Sequence, residues 1–193
     1  MFNRVKILAL FFKMKIIEDI KNFIGKFQLL KEVKNKKGKH TLVAFNKVNH
    51  IGIVYNAVTK ENEQLVAKYA SDLRAEGKKV FMLGYVDAKQ LPANKKFLLN
   101  SEFFWREKLN AINLPIKGDI GAFLQEEFDL LLNLYQEPLL PMQAISAFSK
   151  AKYRVGSNIT DNINYNDGMI DTGNKTDLRF LIEQIDFYLR NIK

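Results

Sequence analysis

The chain has 193 residues and a mass of 22.4 kDa, enough for one domain with a sizeable core but cramped for two. It has no cysteine, which excludes disulfides, iron–sulfur clusters and thiolate zinc sites. The formal net charge of +9 is concentrated at the front: residues 1–40 carry eleven Lys or Arg against three acids, and the rest of the chain is close to neutral.

The chain opens with an apolar run from Ile7 to Phe12 that Lys13 and Lys15 interrupt. That run falls short of a secretory core and of the roughly 20 apolar residues of a bilayer span, so a cytoplasmic location is expected. From Lys15 to Lys31 the residues Ile16, Ile17, Ile20, Phe23, Ile24, Phe27 and Leu30 recur at helical spacing and predict an amphipathic helix. Gly25 weakens it by about 1 kcal/mol relative to alanine, so the helix is expected to need a surface to fold on. Lys31 to His40 reads as a cationic linker carrying Lys31, Lys34, Lys36, Lys37 and Lys39. It sets a division between residues 1–40, a basic helix with its linker, and a single α/β domain over residues 41–193.

Two readings of the leading segment compete. In one the apolar stripe docks on the body. In the other, helix and lysines form a basic arm for an anionic partner, which is a membrane surface, RNA or the ribosome, or an acidic protein. A lysine near an anionic leaflet is worth about 1 kcal/mol, and the same side chain neutralises a nucleic-acid phosphate. The linker lacks the aromatics and arginines that stack on unpaired bases, which disfavours sequence-specific RNA reading. A membrane partner would place the protein at the inner face of the membrane.

The body opens with the β-branched strand His50 to Asn56. Thr59 then caps a helix over Glu61 to Glu76, with Glu61 and Glu63 favoured by the macrodipole in its first turn and Gly77 at its end. Lys79 to Val86 is the second strand, and the strand, helix, strand series predicts a parallel pair with a right-handed crossover. Within residues 87–118, Pro92 and Ala93 to Lys96 read as an exposed loop and Phe97 to Leu99 and Phe103 to Trp105 as short extended pieces, and Ile120 to Gln125 as a short helix. Phe128 to Leu134 is a buried strand, Pro138 opens a helix running to Ala151, and Tyr153 to Gly156 returns as a strand. Ser157 to Asp167 is a loop, Met169 to Thr172 a last strand, and a helix from Thr176 or Asp177 carries the stripe Leu178, Leu181, Ile182, Ile185, Leu189 and Ile192. The fold class is α/β: a three-layer, Rossmann-like domain with a mainly parallel sheet, preceded by a basic amphipathic helix.

Familiar catalytic signatures are missing. The turn after the first strand, Asn56-Ala57-Val58-Thr59-Lys60, has no glycine of a dinucleotide fingerprint or P-loop. His40 and His50 are the histidines, so neither a catalytic triad nor a paired-histidine metal site can be assembled, and no cofactor is expected. In an open parallel sheet a ligand sits at the carboxyl ends of the strands. Asn56, Asp87, Asn133, Gln136, Glu137, Ser157, Asn158 and Asp171 form that candidate rim. Asp87, Glu137 and Asp171 sharing one crevice would suit acid–base work or a magnesium ion. The simpler account is that polar residues gather where loops begin. Asp129, at the opposite end of its strand, is expected to be structural.

Phe128-Asp129-Leu130-Leu131-Leu132-Asn133-Leu134, the proline-bearing helix after it, and Ser149 to Gly156 resemble a bacterial family of domains of unknown function. The likeness extends to Ile51 to Ala57, to Arg106-Glu107-Lys108-Leu109-Asn110 and to the lysine-rich leading helix. The block from Phe128 to Gly156 is also similar to a segment in the amino-terminal domain of heptosyltransferase-type glycosyltransferases. What that second resemblance implies is a Rossmann-like half rather than a transferase, since the chain has no room for those enzymes' second nucleotide-sugar domain. The expected function is a non-catalytic binding or adaptor module working through its basic arm; the alternative is a small enzyme or ligand-binding domain acting at the strand ends on a sugar or nucleotide.

Overall fold

The computed structural model describes residues 2–35, 44–95, 100–159, 164–173, 175 and 177–191. Six strands form one sheet: β1 (His50–Asn56), β2 (Lys79–Val86), β3 (Ser101–Trp105), β4 (Leu130–Leu134), β5 (Arg154–Ser157) and β6 (Gly168–Ile170). Their order is β3-β2-β1-β4-β5-β6, and every pairing is parallel. The chain therefore leaves β1 in one direction across the sheet and β4 in the other, so the crevice between the carboxyl ends of β1 and β4 is the topological switch point.

Alternation along the strands divides the core in two. Ile51, Ile53, Tyr55, Leu130, Leu132 and Leu134 face α2 (Lys60–Ala75) and α5 (Leu178–Asn191). Val54, Leu83, Tyr85, Phe104 and Leu131 face the short α3 (Gly121–Gln125) and α4 (Leu140–Phe148). Thr59 caps α2 by accepting from the Asn62 amide at 3.2 Å, and Asp177 accepts from the Arg179 amide at 2.9 Å at the start of α5. All nine residues of α4 are buried, which explains why Leu140 to Phe148 contains no charge: the sheet covers one side and α1 (Phe2–Asn35) crosses the other.

Helix α1 outruns its expected span and separates the two readings of its stripe. It is continuous to Asn35, so Lys31 and Lys34 are helical rather than part of a linker, while Lys36, Lys37 and Lys39 lie outside the described residues. Its apolar stripe does not dock: Phe12, Ile16, Ile17, Ile20, Phe23, Ile24 and Phe27 are 43–74% exposed. The opposite face docks instead. Leu29 is fully buried in the core on the α4 side, and Leu30, Val33 and Ile112 pack against that same cluster. Gly25 is the point of closest approach, because a Cβ there would overlap the Ile112 carbonyl oxygen and come within 2.9 Å of Leu140 Cδ2. The glycine that weakens the helix is thus the one that lets its backbone meet the body.

Helix α1 runs from Phe2 to Asn35 rather than from Lys15 to Lys31, β1 and β2 keep their expected bounds, and the other described ends shift by at most three residues, as at α4, which starts at Leu140 and ends at Phe148. Leu139, at φ −83° and ψ 108°, is the extended residue before the helix, and Pro141 sits in its first turn, where the missing N–H would have had no partner. Phe97 to Leu99 fall outside the described residues, whereas Phe103 to Trp105 belong to β3. Asp129 is structural: its Oδ2 accepts from the Asn49 and His50 amides at 2.9 and 3.0 Å, and its Oδ1 from Lys152 Nζ at 2.7 Å. It ties the amino ends of β1, β4 and β5 together.

Candidate functional site

The carboxyl edge of the sheet divides the expected rim into separate places. Asn56, ending β1, has its Oδ1 used by the Val58 amide at 3.2 Å in the turn before α2, and its Nδ2 donates to Glu137 at 3.4 Å. With Asn62, Tyr135, Gln136 and Leu178 these two line a hollow of about 310 Å³ at the switch point. Asp171, exposed at the end of β6, accepts from the Gly173 amide at 2.8 Å and so caps its own turn. Ser157 is 1% exposed and Asn158 points to solvent. Asn133 is not on the rim at all. It is fully buried in β4 and donates to Ser146 Oγ at 2.9 Å and Asn166 Oδ1 at 2.6 Å, pinning α4 to the segment before β6.

No crevice among the described residues holds Asp87, Glu137 and Asp171 together. β1 separates β2 from β4, and β5 separates β4 from β6, so the three acids follow alternate strands. With neighbouring strands about 4.8 Å apart, each acid is about 10 Å of sheet from the next. Among the described residues no group of three His, Asp or Glu is placed to hold a metal ion.

A cleft of about 720 Å³ lies on the α4 side of the same edge. Its floor is the end of β2 with the residues after β3, one wall is the start of α4, and the other is α1 from Glu18 to Lys26. The floor is an ordered chain of contacts. Tyr85 Oη donates to Asp87 Oδ1 at 3.1 Å, and Asp87 takes Nε and Nη2 of Arg106 at 2.6 and 3.1 Å. Arg106 holds the Asp87 carboxyl below the usual carboxylate range, and burial followed by the nearby Asp87 charge pushes the Tyr85 hydroxyl up. Asp87 is therefore an anion with its acceptors occupied, suited to positioning Arg106 rather than to moving protons.

Asn113 fixes the α1 wall. It sits at φ 61°, a left-handed conformation that asparagine tolerates, and its Nδ2 donates to Glu18 Oε1 and Asn22 Oδ1, both at 2.7 Å. Lys117 reaches Glu32 at 3.4 Å further along the helix. Sequence reasoning named Asp87 but missed Tyr85, Arg106 and Asn113. Tyr85 was hidden inside a strand and the other two in the unreadable stretch before α3, where only the turn signal of Asn113-Leu114-Pro115 was available.

The fold and the cleft define the class: a doubly wound parallel α/β protein of strand order 3-2-1-4-5-6, with an added leading helix that walls a cleft at the carboxyl edge. The chain belongs to the family of unknown function DUF6913, whose model matches residues 21–192. That span includes Gly25 and Leu29, the docking points of α1. No curated protein matches the chain, so the likeness to heptosyltransferases gains no named relative. No helix among the described residues is long and apolar enough to cross a membrane.

Proposed function

We propose that this protein is a non-catalytic binding module that lies against an anionic bilayer surface through α1, at the inner face of the membrane. The observation that carries the reading is the outward stripe. A helix held by Gly25 and Leu29 presents Phe12, Ile16, Ile20, Phe23, Ile24 and Phe27 to solvent. Full burial of such a side chain is worth about 1.5–3 kcal/mol, a gain available at a hydrocarbon interface and not from phosphates. This favours a bilayer over RNA. Lys13, Lys31 and Lys34, all exposed, continue the helical spacing of Ile20, Ile24 and Phe27 at either end, so the stripe is apolar in the middle and cationic at its tips. Long lysine stems can follow the apolar surface while their ammonium groups stay among headgroups.

Cosedimentation with vesicles of phosphatidylglycerol and phosphatidylcholine, beside vesicles of phosphatidylcholine alone, tests the reading. Binding is expected only to the anionic vesicles, weakening with salt, and at least about tenfold weaker for Ile20→Ser/Ile24→Ser, which loses two inserted side chains. Equal partitioning of wild type and variant would refute it. RNA binding that the variant retains would transfer the arm to nucleic acid.

A further inference from the structure

We infer that the cleft between α1 and the body is a binding site for a phosphorylated small molecule, anchored by the unused edge of Arg106. A guanidinium offers two forks, one along Nε and Nη2 and one along Nη1 and Nη2. Asp87 occupies the first, at 2.6 and 3.1 Å, and is itself fixed by the buried Tyr85. The Nη1 edge takes no hydrogen bond from the described residues, and Arg106 is a lining residue of the cleft. A rigidly held arginine with a free fork is the geometry that takes a second oxyanion in two parallel hydrogen bonds.

The surroundings set the class of ligand. Lys21 and Lys26 line the opposite wall, and Lys21 makes no ion pair with a described residue. Of the cleft acids, Asp87 is paired with Arg106, while Glu18, which accepts from the neutral Asn113 amide, and Asp19 keep their charge beside the two lysines. The cleft's three cations and three acids balance formally, so the preference for phosphate over carboxylate rests on oxygen count: after two oxygens fill the Arg106 fork, a phosphate has others to offer the lysines of the α1 wall, and a carboxylate has none. A volume of about 720 Å³ lies in the range of small-molecule sites, and Phe23, Leu109, Leu139 and Leu140 supply apolar lining for an organic remainder. The phosphate can belong to a soluble metabolite or to a lipid headgroup, because Phe23 lines the cleft and is also 74% exposed on the outward stripe. The inference does not rest on the membrane reading, since Ile16, Ile20 and Ile24 of the stripe do not line the cleft.

The test uses the full chain and its single tryptophan, Trp105, which precedes Arg106. Its emission is followed on titration with glycerol 3-phosphate and, separately, with dihexanoyl phosphatidic acid below its micelle concentration. Saturable binding is expected, with Arg106→Gln weakening it by about tenfold or more, as befits loss of charge-assisted hydrogen bonds, and Lys68→Gln, an equal charge loss on α2, leaving it unchanged. Arg106→Lys keeps the charge but loses the fork, and is expected to weaken binding as well. Tighter binding of the lipid than of glycerol 3-phosphate would assign the source to a headgroup, and the reverse to a metabolite. Absence of saturation by either probe at about 10 mM, beyond the millimolar range of a weakly anchored ligand, overturns the inference, as do equal affinities of Arg106→Gln and Lys68→Gln. Ile20→Ser/Ile24→Ser is expected to keep cleft binding while losing vesicles, so the two readings fail independently.

Discussion

Gly25→Ala sets two effects of opposite sign against each other. By intrinsic propensity an alanine in a helix interior gains about 1 kcal/mol over glycine. Against this, the new methyl group would lie within 2.9 Å of Leu140 Cδ2 and overlap the Ile112 carbonyl, closer than the 3.0 Å that real Cβ contacts respect. Leu140 can change rotamer, but a backbone carbonyl cannot, so α1 must lift away. Overpacking of this kind costs about 1–3 kcal/mol, and displacement exposes Leu29, whose burial is worth about 1.5–3 kcal/mol. Packing therefore exceeds propensity, and the net expectation is a loss of about 1–3 kcal/mol in the docking of α1. Because the contact is local, amide hydrogen exchange over residues 22–33 is the sensitive assay, with urea unfolding as the global check. Protection in that segment should fall in Gly25→Ala while β1 and β4 keep theirs. An alanine variant that exchanges more slowly there and unfolds at higher urea would show the helix to be limited by propensity, and the docked arrangement would be refuted.

Acid sensitivity follows from Asp129. Burial alone would raise its pKa, but hydrogen bonds from Lys152 and from the Asn49 and His50 amides, with the Lys152 charge, outweigh burial and hold it below the ordinary 3.8. A carboxylate with a depressed folded pKa contributes stability that is present above its unfolded pKa and lost as pH falls through the folded one. Urea midpoints should therefore drop as pH falls below about 3.8, and Asp129→Asn should flatten that part of the curve; parallel curves would contradict the assignment. Asp167 receives the Arg154 amide at 2.9 Å, Nε at 3.0 Å and Nη2 at 3.1 Å, with Arg154 9% exposed. Asp167→Asn leaves that guanidinium poorly matched and should cost about 3 kcal/mol in urea unfolding, whereas a loss under about 1 kcal/mol would mean water compensates the arginine. The stripe substitutions Ile20→Ser and Ile24→Ser, at side chains 53% and 47% exposed, should leave that same unfolding transition within about 0.5 kcal/mol of wild type.

What the residues dictated locally was read correctly from their order. The periods of Val66, Tyr69, Ala70 and Leu73 in α2, the β-branched run of β1 and the cap at Thr59 depend on neighbours in the chain, and so do Gly77 and the prolines around the start of α4. The strand, helix, strand series from Phe128 to Gly156 likewise announced a parallel α/β sheet. Contacts between distant segments were another matter. Whether the stripe of α1 docks stayed open between two readings, because apolar spacing identifies a stripe but not its partner; the decision lay with Gly25 meeting Ile112, a carbonyl in a loop no periodicity describes. Asn133 looked like a rim residue because it sits near a strand end, yet Ser146 and Asn166 enclose it. Asp87, Glu137 and Asp171 looked equivalent along the chain, and the strand order placed them apart. The cleft itself exists because three remote stretches, α1, the end of β2 with Arg106, and the start of α4, meet across the sheet edge, and a one-dimensional pattern carries no distance between such stretches.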